Sequence, residues 1–176
     1  GMRSIMDYDA CGNMTYHQER GNGSRRMEYD SANHLRHVTD ADSGAVIGDY
    51  TYDEGGRRVL KRIMDRDDAG QAYCNEVVTP CRYMAIGRRR TADGAPVPGT
   101  ESCVNNVYVR GIRVAAISAG GGVRYYLTDQ VDSVTVGMDG GGHVVSRTGY
   151  KPYGETWFKE GEGSGGPAFG GQEYDR

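Results

Sequence analysis

The sequence is poor in the residues that usually build a hydrophobic core. Its 176 residues include only 2 Phe and 1 Trp, and the hydrophobic share is 37%. No apolar run is long enough to span a membrane, and no secretory signal opens the sequence, so we expect any export to be directed from elsewhere. The length suffices for a domain, but its core per residue must be thin.

Cysteine is also scarce, which excludes a small domain that depends on disulfides. The chain has 4 Cys and 4 His. The step from Cys74 to Cys81 is too wide for a zinc knuckle, and the histidines lack the spacing of a metal site. We therefore predict no cofactor. A Cys74–Cys81 bridge across a hairpin stays open if the compartment is oxidising.

Neither sign of charge dominates, so the overall balance indicates no nucleic-acid partner and no anionic membrane surface. The formal net charge is −3, and acidic and basic residues are interspersed. Only the run Arg88-Arg89-Arg90 stands out. Without aromatic or further basic support nearby, we interpret this run as the solvated entrance to a loop.

Glycine and tyrosine are abundant, with 28 and 13 copies, and they meet in a repeated phrase. The phrase is Tyr-Asp, two further residues, and then Gly or Asn. It occurs at Tyr8-Asp9 with Gly12, at Tyr29-Asp30 with Asn33, and at Tyr52-Asp53 with Gly56. Gly and Asn most readily accept positive φ, and the Asp carboxylate can bond the backbone of its own turn. Tyrosine steps of 21 and 23 residues predict a repeated two-stranded unit.

The rest of the chain indicates an all-β fold, an antiparallel meander of hairpins. Turn clusters rich in Asp and Gly separate segments of β-type composition. These segments are 25–29, 45–52, 57–64, 73–78, 82–87, 104–109, 112–118, 123–128, 133–138 and 143–150. Because Pro96 and Pro98 cannot sit in a central strand, we interpret 90–102 as an inserted surface loop. We interpret the Gly-rich stretch 159–167 as a flexible connector.

The second half carries a longer, ordered set of motifs. A tyrosine-rich segment ending in Thr128-Asp129 is followed by a Gly-turn hairpin, then by Tyr150-Lys151-Pro152-Tyr153-Gly154-Glu155, and last by Phe169-Gly170-Gly171-Gln172-Glu173. With the Tyr-Asp phrases, this order resembles the RHS/YD-repeat family, and in particular its RHS repeat-associated core. The departures from the family pattern are residues 130–132, Lys151 and Gly170.

The resemblance implies a β-sheet ribbon that spirals into a hollow shell, as in bacterial polymorphic toxins and the shells of insecticidal toxin complexes. It implies YD repeats at 1–64, a divergent hairpin and inserted loop at 65–105, core hairpins at 106–158, and a connector with the start of the post-core motif at 159–176. The core-motif residues that it assigns are Tyr126, Asp129, Ser133, Tyr150, Pro152, Gly154 and Glu155.

The function implied by the resemblance is structural: a non-catalytic part of a shell that encloses or presents a toxin or other cargo. The self-cleaving segment of the family begins after the stretch at Gln172-Glu173, and we expect it to be absent from this sequence. The expected partners are flanking shell sequence or a second copy joined through strand edges, and a toxin cargo. The implied location is secreted or at the cell surface, within a larger bacterial polypeptide.

Two catalytic alternatives use residues near the core motif. Asp129 and Asp132 flank one turn and could act as the carboxylate pair of a hydrolase. Turn capping explains an Asp before a β-turn without any catalysis. Ser133 and His143 could form a nucleophile and base, but their spacing alone does not bring them together.

Two binding alternatives also stay open. Asp65, Asp67, Gly70 and Glu76 take positions one, three, six and twelve of a calcium-loop pattern, although Ala69 leaves position five without an oxygen. Exposed aromatic residues could instead serve a surface adhesion or carbohydrate-binding module. The aromatic residues that would form this platform are Tyr150, Tyr153, Trp157 and Phe158.

Overall fold

The computed structural model describes residues 5–18, 23–131, 133–151 and 156–161, and these residues form strands and turns. No helix within these ranges is long and apolar enough to cross a membrane. The strands are β1 (Ile5–Tyr8), β2 (Met14–Gln18), β3 (Ser24–Tyr29), β4 (Leu35–Asp40), β5 (Val46–Tyr52), β6 (Arg58–Arg66), β7 (Ala72–Cys81), β8 (Met84–Thr91), β9 (Ser102–Val109), β10 (Ile112–Ser118), β11 (Val123–Thr128), β12 (Val134–Met138), β13 (Val144–Tyr150) and β14 (Thr156–Gly161).

All fourteen strands belong to one sheet, and each strand neighbours the next strand in the sequence. The pairs are antiparallel, from β1 with β2 to β13 with β14. The predicted all-β antiparallel meander is therefore confirmed. Short turns suffice between antiparallel strands, which suits a chain rich in Gly, Asn and Asp.

A register shift marks the strand end before each Tyr-Asp turn. Tyr8 pairs with Met14, and Tyr29 pairs with Leu35, each directly after a β-bulge. The residue with positive φ sits inside the turn, as at Gly12 (87°). An extra residue in one strand locally increases twist, so these bulges raise the twist at the same position of each hairpin.

The predicted segments correspond to observed strands, and four observed strands were not among those segments: β1, β2, β4 and β14. The two-stranded unit predicted from the Tyr-Asp phrases accounts for β1, β2 and β4, which end in or follow such a phrase. Their sequences mix polar residues into short runs, as in the MTYHQ of β2, so the alternation is weak. The prediction of a connector at 159–167 is wrong for its first residues, because β14 continues to Gly161. The remaining residues, 162–167, lie outside the described part of the chain.

Within the predicted surface loop at 90–102, residues 92–101 lie between strands and are mostly exposed, whereas its two ends belong to strands. Strand β8 continues to Thr91, β9 begins at Ser102, and Arg90 forms an antiparallel bridge with Pro96. The Thr91 N–H donates to the Ala95 carbonyl at 2.8 Å, which closes a tight turn. Pro96 is tolerated there because an isolated bridge does not require its missing N–H.

The chain divides into two compact units, and each has a small core. The first unit comprises Gly1–Cys81 and Ile86–Glu101, and it buries Val38 and Tyr50. The second comprises Arg82–Ala85 and Ser102–Arg176. Its core cluster consists of Ala116, Tyr126 and Val134, with Val104 packed against it. In each unit a buried tyrosine contributes to the core, as the scarcity of Phe leads one to expect.

The most deeply buried charge of the first unit is Glu76, whose side chain is 1% exposed. Three guanidinium groups surround its carboxylate: Arg62 Nε lies 2.8 Å from Oε2, while Arg88 Nε and Arg90 Nε lie 2.5 and 3.0 Å from Oε1. The interpretation of Arg88-Arg89-Arg90 as a solvated loop entrance is therefore wrong. Alternate strand residues point to one face, which sends Arg88 and Arg90 to Glu76 and leaves Arg89 over the ring of Tyr73.

The Glu76 cluster continues a row of charges across neighbouring strands. Arg62 pairs in register with Glu76 on one side and with Asp49 on the other. Asp49 in turn pairs with His37, and its carboxylate contacts the His37 ring. Opposite charges on directly opposed residues stabilise a sheet. This row therefore joins the four neighbouring strands from β4 to β7 through side chains, in addition to the backbone hydrogen bonds between them.

Within the described residues the four cysteines are free thiols. Cys74 and Cys81 lie in the same strand, β7, which holds them apart along an extended backbone. A Cys74–Cys81 hairpin bridge is therefore contradicted. Burial raises the pKa of the Cys74 thiol, which keeps it in the unreactive form.

Replacing Glu76 by Gln should lower the free energy of unfolding by about 3 kcal/mol at pH 7. Burial raises the pKa of this carboxyl, but hydrogen bonds from Arg62, Arg88 and Arg90 outweigh it and lower the pKa to about 2. The folded pKa thus lies below the unfolded value of about 4.3. The stabilisation is complete above that value and is lost as the pH falls towards 2.

Urea unfolding of the wild type, E76Q and the exposed control E101Q at pH 7 and pH 3 measures this contribution. We expect E101Q to match the wild type at both pH values, and E76Q to lose less stability on acidification than the wild type. Equal stability of E76Q and E101Q at pH 7 would contradict a stabilising role for the cluster.

Candidate functional site

The Tyr-Asp phrases form turns whose Asp carboxylate is bonded to the backbone of the turn itself. Asp30 Oδ1 accepts the N–H groups of Ala32 and His34, both at 2.9 Å. The Asp30 N–H donates to the His34 carbonyl, and the Asn33 N–H donates to the Asp30 carbonyl. Asn33 has a φ of 62°, which Asn tolerates better than most residues with a Cβ. One carboxylate oxygen thus fixes two donors that would otherwise point to solvent.

Asp9 and Asp53 repeat this geometry. Asp9 Oδ1 accepts from Cys11 and Asn13 at 2.9 and 2.8 Å. Asp53 Oδ1 accepts from Gly55 and Arg57 at 3.0 and 2.9 Å. The same pair of backbone bonds to an Asp Oδ1 also occurs outside the three phrases, at Asp67, Asp129 and Asp139.

The second oxygen of the Asp binds the side chain four residues later. Asn13 Nδ2 donates to Asp9 Oδ2 at 2.9 Å, and Arg57 Nε donates to Asp53 Oδ2 at 3.0 Å. His34 Nδ1 lies 3.2 Å from Asp30 Oδ2. Sequence reasoning missed this position, because Asn, His and Arg share only the ability to donate a hydrogen bond. The pattern Asp-x-x-(Gly/Asn)-donor is the signal that could have found it.

These bonds favour the ionised form of each Asp. The side chain of Asn13 lowers the pKa of Asp9. For Asp30 and Asp53 the main cause is the backbone N–H four residues later, and it likewise lowers the pKa of each carboxyl. A carboxyl group held ionised by its own turn is a poor general acid, which removes one way of using these residues in catalysis.

Successive turns of the first unit contact one another. Asn13 Nδ2 donates to Asn33 Oδ1 at 2.8 Å, joining the first turn to the second. The His34 ring stacks on Tyr52 with centroids 4.7 Å apart, joining the second to the third. The tyrosines also connect hairpins, since Tyr29 Oη donates to the Met14 carbonyl at 3.0 Å. Every second turn of a meander lies at the same end of the strands, which brings these turns next to one another.

Beyond the third turn, the contacts continue to the next hairpin. Arg57 Nη2 donates to the carbonyl of Pro80 at 3.3 Å. Gly56 packs against the second turn, since a Cβ at this position would lie 2.8 Å from His34 Nε2. At Gly12 a Cβ would meet nothing within 4 Å, although both glycines have positive φ. Gly56 therefore has a packing role that Gly12 lacks.

The core-motif residues lie in the second unit and are only partly described. Tyr126 belongs to the core cluster, and Ser133 is fully buried. Asp129 Oδ1 accepts the N–H groups of Val131 and Ser133, both at 2.9 Å. Tyr150 ends β13, where burial and the charge of Asp129 raise the pKa of its hydroxyl. Asp132, Pro152, Tyr153, Gly154 and Glu155 lie outside the described residues.

The candidate catalytic residues occupy turns. Asp129 bonds the backbone of its own turn, as described above, and His143 Nδ1 lies 3.3 Å from Asp139 Oδ2 in a different turn. Ser133 and His143 thus each belong to an Asp turn of their own.

The calcium candidates are not brought together either. Asp67 Oδ1 accepts from Ala69 and Gln71, so it caps the turn between β6 and β7. Asp65 Oδ2 accepts from the Tyr73 hydroxyl at 3.1 Å, whereas Glu76 is bonded to arginines. Within the described ranges, no group of three or more His, Cys, Asp or Glu residues could hold a metal ion.

Of the aromatic candidates in β14, Trp157 is largely exposed and Phe158 packs against the neighbouring strand. Trp157 is 71% exposed and meets Phe158 edge to face at 5.6 Å. The Phe158 ring covers Gly149 on β13, where a Cβ would lie 2.3 Å from the ring. Glycine opposite an aromatic ring is a packing arrangement, so Phe158 fills the space that Gly149 leaves.

Comparison with known proteins relates this geometry to a family. Residues 29–63, which include the second and third Tyr-Asp phrases, match the family described as RHS Repeat. No curated protein matches the chain.

Solved structures match nearly the whole chain. The Photorhabdus luminescens Tc holotoxin pore superposes with a TM-score of 0.71 at 17% identity, over 98% of this chain and 11% of that chain. TcdB2-TccC3 gives 0.71 at 18%, and TcdB2-TccC3-Cdc42 gives 0.70 at 16%, with the same coverage. This chain therefore spans about a tenth of the length of the chains it matches. Residues 29–63 thus contain an RHS repeat, and the chain has the fold of a part of these larger chains, which confirms the predicted resemblance to the RHS/YD-repeat family.

Proposed function

We propose that this chain is a non-catalytic wall segment of a shell built from RHS/YD repeats, and that the shell encloses or presents a toxin or other cargo. The observation that carries the proposal is the stacking of successive Asp turns. Each carboxylate serves its own backbone, and each turn contacts the next. Such side chains stabilise a repeated wall and are not free to act on a substrate.

The solved relatives support the same role. Almost all of this chain superposes on a small part of chains whose structures are those of a Tc holotoxin pore and of TcdB2-TccC3. A segment covering 11% of such a chain fits a piece of a larger wall. Its partners would then be the neighbouring wall strands and the enclosed cargo.

The hydrolase alternative is less well supported. Its described carboxylate, Asp129, accepts two backbone N–H groups, so its Oδ1 is already engaged. Ser133, which could serve as a nucleophile, is fully buried. A nucleophile needs access to its substrate, and full burial denies that access to Ser133.

The edges of the sheet support association with other strands. Among the described strands, β1 and β14 come first and last in the strand order, so each has one neighbour within that set. Every residue of these two strands is exposed, including the large apolar side chains of Ile5, Met6 and Trp157. Exposed edges with apolar side chains pair readily with further strands, either of flanking sequence or of a second copy.

Adding a methyl group at the two turn glycines should have unequal effects. We expect Gly12→Ala to lower the free energy of unfolding by about 1 kcal/mol, because its φ is positive. Gly56→Ala should cost at least about 1 kcal/mol more, because the new Cβ meets His34. Thermal or urea unfolding of both variants measures the difference.

The double variant G56A/H34A provides the control. If the additional loss arises from contact between successive turns, Gly56→Ala should cost no more than Gly12→Ala when both are made in a His34→Ala background. Equal losses at Gly12 and Gly56 in the wild-type background would show that the turns do not couple in this way.

Edge pairing should make the isolated chain self-associate. Size-exclusion chromatography with light scattering, over a range of protein concentrations, should show dimers or larger species that dissociate on dilution. Trp157→Lys should shift the population towards monomer, because a charge on an edge strand opposes pairing.

The matched control is Val144→Lys, which places the same charge on β13, a strand with neighbours on both sides. It should associate as the wild type does. A wild-type chain that stays strictly monomeric at high concentration would contradict edge pairing.

A further inference from the structure

The Glu76 cluster has more positive than negative charge. Arg62, Arg88 and Arg90 surround one carboxylate. Asp49 lies opposite Arg62 in register, but its carboxylate also contacts His37. Even with Asp49 included, guanidinium groups outnumber carboxylates three to two. The excess is local, because the chain as a whole carries a formal charge of −3.

Arg90 is the most enclosed of the three arginines, with a side chain that is 22% exposed. Its Nε is buried and faces the Glu76 carboxylate. It lies 3.0 Å from Glu76 Oε1, an oxygen that also accepts from Arg88 Nε at 2.5 Å. Arg90 Nη1 is held by the Gly94 carbonyl at 2.8 Å, which fixes the group in place.

The cluster is open to solvent on its arginine side. The side chain of Arg62 is 44% exposed and that of Arg88 is 31% exposed, while Glu76 beneath them is 1% exposed. The Glu76 carboxylate thus contacts the Nε edge of each guanidinium group on its buried side. A guanidinium group has five N–H donors in a planar fork, and the fork matches the oxygens of a carboxylate or phosphate.

We propose that Arg62, Arg88 and Arg90 form an oxyanion-binding site on the sheet face that carries Glu76. The ligand is a carboxylate or phosphate group, supplied by an acidic side chain of a polypeptide or by a free ion. Glu76 orients the arginines, and the incoming oxygens balance the excess charge and accept from N–H groups on the exposed side of the guanidinium groups. The site does not depend on the proposed wall function, because it rests on the geometry of the first unit alone.

Calorimetric titration of the full chain with two probes tests the site and distinguishes the sources. The probes are inorganic phosphate and a soluble peptide of alternating Glu and Gly. We expect saturable binding that weakens as sodium chloride is added, since exposed charges are screened by salt. Arg62→Met should weaken binding about tenfold or more, the loss expected for one charge-assisted hydrogen-bonding group.

Arg89→Met is the matched control, because it removes the same charge from the adjoining residue on the opposite face. It should leave binding unchanged. Circular dichroism and thermal unfolding of both variants verify the fold, and Arg62→Lys, which keeps the charge without the fork, should bind more weakly than the wild type.

The two probes distinguish the two sources of the oxyanion. Arginine-dependent binding of the peptide alone assigns the ligand to a polypeptide carboxylate, and binding of phosphate alone assigns it to a free ion. Either result supports the site. No saturable binding of either probe, or equal losses in R62M and R89M, would overturn it.

Discussion

The architecture depends on the hydrogen bonds that an Asp carboxylate makes to its own turn. A chain with so little apolar surface cannot rely on a deep core to order its hairpins. In each Tyr-Asp turn, one carboxylate oxygen accepts two backbone N–H groups, as Asp30 does from Ala32 and His34. These bonds are charge-assisted, and they compensate locally for the entropy that each ordered turn loses.

Contacts between neighbours join the ordered turns of the first unit to one another. The stacking of His34 on Tyr52 and the hydrogen bond from Arg57 to the Pro80 carbonyl lie at one end of the strands in the first unit. The Glu76 cluster provides a second connection, within the strands. Each contact is weak by itself, but in a repeated structure nearest-neighbour terms add along the chain. Together they account for a stable sheet around a small core.

The sequence predicted the local structure well and the non-local partners poorly. Tyr-Asp with Gly or Asn four residues after the Tyr identified the hairpin turns, because positive φ and backbone capping restrict the residue types. The run Arg88-Arg89-Arg90 was misread because its partner, Glu76, is set by strand register, which composition does not reveal. The donor four residues after the Asp was missed because its residue type varies among Asn13, His34 and Arg57. Strand β14 was missed because its Gly-rich surroundings resemble a linker.

The most direct test of the account is amide hydrogen exchange at the second Tyr-Asp turn, followed by NMR. In the wild type, the N–H groups of Ala32 and His34 should exchange slowly although they lie in a turn, because Asp30 Oδ1 accepts both. In Asp30→Ala both should exchange rapidly, while the amide of the buried strand residue Val38 stays protected. Rapid exchange of Ala32 and His34 in the wild type, or unchanged slow exchange in Asp30→Ala, would contradict the central role of the carboxylate.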